Sequence, residues 1–247
     1  MINHLDIYAQ PSIYDDQYWW KKDDIEFYKN IIPEKSTVLE LGSGTGRLAF
    51  PLIRNNINYY GLELSKEFCT YSQKKLNQIG LQNHIYQGNM VSFKIPIKFD
   101  CIFIAFNTFL HLLTNKEAET CLKCVKEHLK PNGEFIIDIL VPHPEFLYKE
   151  NNSKNPVMDF KDSIRNELVE IYEACIYDRD TEICDITWIY KYSNESKEFN
   201  YKMKMYYPDT INRILTDCGF YIKELYGDYS MRNFSDESHM QIYVCTI

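Results

Sequence analysis

Three glycines at alternate positions, Gly42, Gly44 and Gly46, separate an apolar run at 38–41 from a segment in which Leu48, Ala49, Leu52 and Ile53 recur at helical spacing. A short, branched apolar run is the pattern of a strand buried on both faces, as in a parallel sheet. Glycine lets the backbone turn tightly and removes the Cβ that would block a ligand. The helix that follows aims unpaired N–H groups and its positive dipole end at that ligand. Strand, glycine turn and helix in this order constrain the chain to an α/β fold with a nucleotide-type ligand site. The triplet alone does not choose the ligand.

The downstream pattern repeats the theme. Residues 57–62 read as a second strand ended by Glu63, where both carboxylate oxygens can take a ribose diol. Ser65 is the expected N-cap of a helix running through Leu76. A third strand at 84–87 leads into Gly88-Asn89-Met90, whose amide and thioether suit the edge and face of an adenine; Asn89 also suits an ordinary turn. Residues 99–106 form a fourth strand that enters a helical region at 107–111. A helix over 116–129 closes on a tight turn at 130–133, and 134–140 is a fifth strand. Such alternation predicts a doubly wound parallel sheet with helices on both faces.

The two ends of the chain differ in character. Residues 1–32 carry Tyr8, Tyr14, Tyr18, Trp19, Trp20, Phe27 and Tyr28, with a helix expected over 23–32 and stopped by Pro33. These rings either cover the sheet edge or, through Tyr14, Trp19 or Trp20, form a flap over the ligand. Beyond 142 the segment 149–163 is polar and reads as loop, and then Val169 to Met205 alternates at period two, the mark of antiparallel strands. That layer could cap a pocket, extend the sheet or form a homodimer surface. A helix over 208–218 ends at Gly219, and strands at 220–226 and 240–247 must pair antiparallel, being joined without a helix. The expected division is 1–32 as an aromatic cap segment, 33–141 with 207–247 as the core, and 142–206 as an inserted β-rich substrate-side layer.

Composition narrows the function classes. A net charge of −8 argues against broad phosphate-backbone binding, so no nucleic-acid partner is expected. No basic-then-apolar leader and no uninterrupted apolar run of ~18 residues are present, which predicts a cytoplasmic protein with no membrane partner. The eight cysteines fall mostly within apolar patterns and read as small buried hydrophobes. Cys121 and Cys124 form a CxxC with His128 one turn on, but they share an apolar helix face and lack a second ligand pair, so no metal site is expected.

Taken together, Glu-Leu-Gly-Ser-Gly-Thr-Gly-Arg at 40–47, Glu63, Gly88-Asn89-Met90, Ala105-Phe106-Asn107, Leu-Lys-Pro-Asn-Gly at 129–133 and Gly219-Phe220 resemble the class I S-adenosylmethionine (SAM)-dependent methyltransferases of small-molecule type. The resemblance covers nearly all of 30–247. It implies an α/β, doubly wound, Rossmann-like seven-stranded sheet with an antiparallel last strand, plus an inserted antiparallel β layer, and S-adenosyl-L-methionine as cofactor. It assigns Gly42, Gly44 and Gly46 to the passage of the methionyl part and ribose, Glu63 to the ribose hydroxyls, and Glu40 and Leu64 to the cofactor-binding set. Asn89 stands where the family more often has Asp against the adenine amine, and Met90 would pack on the ring. Phe106 and Asn107 would lie beside the sulfonium and the acceptor, with Tyr14 and Trp20 as the cover. Arg47 would pair with Asp15, Asp16 or the cofactor carboxylate.

The implied activity is methyl transfer to an O or N atom of a small polar acceptor, such as a sugar, an amine or a natural-product intermediate. A hydroxyl acceptor needs a base, for which His111 is the first candidate and His143 the second. An amine needs none as strong, and Asn107 could orient its lone pair. Two other readings use the same residues: an NAD-dependent Rossmann oxidoreductase, which fits the glycine spacing and antiparallel tail poorly, and a non-catalytic SAM-binding protein.

Overall fold

The computed structural model describes residues 7–148 and 154–247. Two short helices, α1 (Pro11–Gln17) and α2 (Asp23–Ile31), precede the alternating region. There β1 (Thr37–Leu41), α3 (Ala49–Arg54), β2 (Asn58–Glu63), α4 (Lys66–Asn77), β3 (Ile85–Gln87), β4 (Phe99–Ile104), α5 (Asn115–His128) and β5 (Leu129–Leu140) follow in turn. After α6 (Pro144–Leu147) come β6 (Asn155–Asp162), β7 (Glu167–Asp178), β8 (Ile183–Lys191) and β9 (Ser196–Lys204). The chain closes with α7 (Pro208–Asp217), β10 (Tyr221–Tyr226) and β11 (Met240–Thr246).

Seven strands form one sheet in the order β10-β11-β5-β4-β1-β2-β3, with β11 antiparallel to both of its neighbours and the β5-to-β3 pairs parallel. Alternate residues of each buried strand face opposite cores, as a period of two demands. On one face Leu39, Leu41, Ile102 and Ile104 pack with Cys121, Leu122 and Val125 of α5 and Ile211 and Leu215 of α7. On the other, Val38 and Phe103 pack with Phe27 and Tyr28 of α2 and Leu52 of α3. Order reverses between β1 and β4, and a doubly wound sheet opens its ligand crevice at such a reversal.

Caps fall where the side chains can supply them. Ser65 Oγ accepts from the Phe68 N–H at 3.2 Å to start α4, and Thr114 with Glu117 forms a reciprocal capping box on α5. The turn expected at 130–133 lies inside β5: Phe99 pairs with Leu129 but Cys101 pairs with Glu134, so the intervening residues bulge out of the ladder. Asn132 takes φ of 63° within that bulge. The polar stretch expected as loop over 149–163 is also corrected. Residues 149–153 lie outside the described residues, but Asn155–Asp162 is β6, recruited by a full edge pairing with β7. Polarity there marks a solvated edge strand.

The second sheet, β6-β7-β8-β9, is antiparallel throughout. Its inward face, with Val169, Ile171, Ile186, Trp188, Tyr190 and Phe199, joins the same core as α5 and α7. Gln17 at the end of α1 accepts from the Tyr190 hydroxyl, tying the N-terminal segment to this sheet. Within the CxxC, Cys121 is core and Cys124 bonds the Phe93 carbonyl at 3.2 Å. No helix among the described residues is long and apolar enough to cross a membrane.

Candidate active site

The glycine loop is pinned to β2 before any ligand arrives. The Gly42 and Ser43 N–H groups donate to the Leu62 carbonyl at 2.8 and 3.0 Å. Gly42 has φ of +71°, and a Cβ there would stand 2.3 Å from Thr108 Cγ2, so only glycine lets the loop and the post-β4 turn meet. Gly44 has φ of +57° and a Cβ would meet nothing within 4 Å, so this backbone borders open space. Its N–H donates to Glu63 Oε2 at 2.8 Å, and the Ser65 N–H donates to Glu63 Oε1 at 2.8 Å. Both carboxylate oxygens are thereby held by backbone donors.

That open space is a cavity of about 470 Å³ at the carboxyl ends of the strands. Ten of the residues singled out from sequence line it: Tyr14, Gly42, Gly44, Glu63, Leu64, Asn89, Met90, Phe106, Asn107 and His111. Asn89 also accepts from the Val91 N–H at 2.9 Å, so it serves a turn while facing the cavity. Tyr8, Tyr14 and Tyr18 form a run of rings along one side; Tyr14 lies 4.6 Å from Tyr18, and Tyr18 stands edge-on to Phe106 at 5.1 Å. Burial pushes the hydroxyls of Tyr14 and Tyr18 above the ordinary tyrosine value, so both stay protonated.

Four expected residues do not line the cavity. Trp20 is 47% exposed, and Tyr8 and Tyr18 take the covering place expected of it. Arg47 pairs with neither Asp15 nor Asp16: its Nη1 and Nη2 reach Asp24 Oδ1 and Oδ2 at 2.7 and 2.6 Å. Asp24 is fully buried on α2 and needs a two-pronged partner, whereas Asp15 binds Tyr71 and Lys75 on α4. Gly46 carries φ of +78° beside Ser72. Glu40 is buried and accepts from the Tyr59 hydroxyl at 2.5 Å.

Burial raises the Glu40 carboxyl to about 8, against opposing pulls from the Tyr59 hydrogen bond and Arg47. Burial likewise raises Asp138 to about 6. A carboxyl whose folded value is raised holds its proton in the folded state after the unfolded chain has lost it, so stability falls as pH rises between the two values. Between pH 6 and 8 the Asp138 contribution is spent and Glu40 remains. Glu40→Gln should therefore remove up to ~1.4 kcal/mol per pH unit of declining stability in that window, read from urea denaturation at stepped pH. An unchanged slope would contradict the assignment.

Beyond β4 the backbone is held in an uncommon shape. Phe106 and Asn107 take φ of 52° and 64°, both left-handed. Asp138 over-determines the turn: its carboxylate accepts from the Phe106 N–H at 2.5 Å and its carbonyl from the Asn107 N–H at 3.2 Å. Asn107 Oδ1 in turn accepts from the Leu140 N–H at 2.7 Å. Strain of this kind persists where surrounding structure holds it, and it clusters at ligand sites. One turn on, His111 Nε2 shares a 2.8 Å hydrogen bond with the Tyr8 hydroxyl.

The methyltransferase-domain family matches residues 38–133. The fold superposes on the CcbJ methyltransferase from Streptomyces caelestis with a TM-score of 0.79 at 25% identity, covering 90% of this chain and 93% of that one. Residues 38–133 form a methyltransferase domain of the SAM-dependent class. The chain is also 28% identical over 116 residues to dTDP-3-amino-3,4,6-trideoxy-alpha-D-glucopyranose N,N-dimethyltransferase from Streptomyces venezuelae, covering 47% of each chain. The match spans about half the length of that curated relative. SAM-bound CalS10, an amino pentose methyltransferase from Micromonospora echinaspora, shares the fold with a TM-score of 0.70 at 17% identity over 98% of this chain and 99% of that one. The residues present fit SAM, the cofactor of the class: a Cβ-free loop borders the cavity at Gly44, and Glu63 presents a pre-fixed carboxylate beside it.

The lining residues not singled out from sequence include Tyr18, Glu173, Trp188 and Tyr201. A signal existed for Glu173. Val169, Ile171, Glu173, Cys175 and Tyr177 share one face at period two, so the acid interrupts a buried stripe.

Proposed function

We propose that this protein transfers the methyl group of SAM to the nitrogen of a small, amine-bearing acceptor. The observation that carries the reading is a single cavity that runs from the Glu63 loop, past the strained Phe106-Asn107 turn, to the inward face of the second sheet at Glu173, Ile186, Trp188, Tyr201 and Met203. Nitrogen is favoured over oxygen because the relatives named above are, by description, an amino-sugar N,N-dimethyltransferase and an amino pentose methyltransferase.

When bound, SAM supplies a sulfonium methyl that an acceptor lone pair displaces in line. Glu63, at the end of β2 on the cavity wall, would hold the ribose hydroxyls. Leu64 and Met90 would sandwich the adenine, with Asn89 at its edge. Gly42 and Gly44 would let the backbone pass close to the methionyl chain, and Phe106 and Asn107 would border the reacting end. Tyr8, Tyr14 and Tyr18 would exclude water and fix the approach, and such alignment can lower the barrier by roughly 7–11 kcal/mol. His111, bonded to Tyr8, would take up a proton released at the acceptor end. Nothing in this scheme draws on Glu40 or Arg47 as direct cofactor contacts; they hold the elements around the loop.

Label transfer from radiolabelled SAM to a panel of aminosugars and their hydroxy counterparts tests the reading, alongside melting temperature with SAM or NAD(H). Stabilisation by SAM and label on nitrogen are expected. A response to NAD(H) alone, or label on the hydroxy compounds only, would overturn it, and SAM binding without transfer to any acceptor would point to a non-catalytic binder. On amines, His111→Ala is expected to cost about tenfold or less in kcat. A loss of about 10²–10⁴ would instead mark a base needed for a hydroxyl.

A further inference from the structure

Among the buried carboxylates, Asp24 takes a two-pronged arginine, Asp138 takes the Tyr28 and Tyr229 hydroxyls with a backbone N–H, Asp162 and Glu63 take backbone N–H groups, and Glu40 takes the Tyr59 hydroxyl away from the cavity. Glu173 differs. It is 8% exposed, lies mid-strand on the inward face of β7, and its Oε2 accepts from Trp188 Nε1 at 2.8 Å, directly across the ladder. That indole is a neutral donor and occupies one oxygen. Among the described residues no lysine or arginine is paired with Glu173, yet the carboxylate lines the cavity.

Burying a carboxylate costs several kcal/mol unless a cation or several donors compensate. Replacing it by valine would complete an apolar stripe, so folding does not call for an acid here. Aromatic faces surround the position: Tyr201 stands edge-on to Trp188 at 5.7 Å and 6.3 Å from His111. A carboxylate among aromatic faces is the arrangement that binds an organic ammonium, through a charge-assisted hydrogen bond and through the rings.

We propose that Glu173 is the acceptor-binding carboxylate, holding an ammonium group of the acceptor between Trp188 and Tyr201, so that the site selects amines over alcohols of the same shape. This rests on reading the cavity as a joint cofactor and acceptor site. Glu173 takes part in no covalent step: the bound ammonium gives up a proton, to His111 or to water, before the nitrogen attacks, because only the neutral amine has the lone pair. Ammonium recognition gives the second sheet a role distinct from the first: strand ends hold the donor, and β7 and β8 choose the acceptor.

The test uses the full chain saturated with S-adenosylhomocysteine, titrated calorimetrically with cyclohexylamine and with cyclohexanol as a matched pair. The parent protein is expected to bind the ammonium about ten- to a hundredfold more tightly, the ratio one charged hydrogen bond supports. Glu173→Gln keeps the size and an acceptor for Trp188, and should bring the ratio near one with S-adenosylhomocysteine affinity unchanged. Glu173→Asp keeps the charge on a shorter side chain, and should retain part of the preference. Equal binding of the pair by the parent, no binding of the amine, persistence of the full preference in Glu173→Gln, or its complete loss in Glu173→Asp would each overturn the assignment. Failure of S-adenosylhomocysteine to bind the parent would instead overturn the methyltransferase reading. Glu173→Asp keeps the inference open to refutation even if Glu173→Gln folds poorly.

Discussion

Glu63→Ala is expected to weaken SAM binding by about a hundred- to a thousandfold, measured by isothermal titration calorimetry. Two losses add. Under the proposed function the carboxylate takes the ribose hydroxyls, and hydrogen bonds to a charged group are worth about 1.5–3 kcal/mol each. The same carboxylate also accepts from Gly44 and Ser65, so its removal frees the backbone on both sides of the cavity mouth. Glu63→Gln should fall between, since an amide keeps one acceptor oxygen and loses the charge. Because Glu63 ends β2 outside the main apolar clusters, the variant should stay folded, and circular dichroism checks this. Binding within about threefold of the parent would remove Glu63 from the cofactor site.

The largest effect on stability is expected from Asp24→Ala, a loss of about 3–5 kcal/mol in urea denaturation. Asp24 has a side chain with no exposure and receives both Arg47 nitrogens, while Arg47 is 20% exposed and also donates to the Lys21 carbonyl at 3.1 Å. Removing the acid strands a mostly buried guanidinium. A double change, Asp24→Ala with Arg47→Met, should recover part of the loss, because an uncompensated buried charge costs more than the absence of the pair. No recovery would mean that packing of α2 and not the charge dominates. Since the pair joins α2 to the segment after the glycine loop, SAM affinity should fall as well, though less than for Glu63→Ala.

Much of the core was legible because its signals are local. Leu39 and Leu41 alternate with Val38 and Glu40 within a few residues, and Ser65 stands three residues before the N–H it caps, so a linear reading suffices. Met90 and Asn89 were legible for the same reason: a short loop after β3 has few places to go. The bulge in β5 was not, because Asn132 folds into the ladder only once Phe99 and Cys101 supply a partner strand. Nor was β6, whose polar composition is that of a loop until β7 pairs with it.

By itself, the sequence determined the order of strands and helices from β1 to β5, the glycine loop, the acid ending β2 and the antiparallel tail, since each depends on periodicity, caps and turn residues within one element. Tertiary structure decided which acid Arg47 meets, which ring covers the cavity, and where the second sheet faces. Asp15, Asp16 and Asp24 are equivalent in a list of residues; only the packing of α2 against α3 leaves Asp24 buried and in need of a partner. Trp20 and Tyr18 are equally aromatic, and the turn after α1 sends one to solvent and the other to Phe106. Glu173 is the sharpest case. Its face was readable from alternation, but its meaning depends on a cavity assembled from two sheets. Contacts between distant segments are set by the shape of the whole core, and that shape is not written in any local pattern.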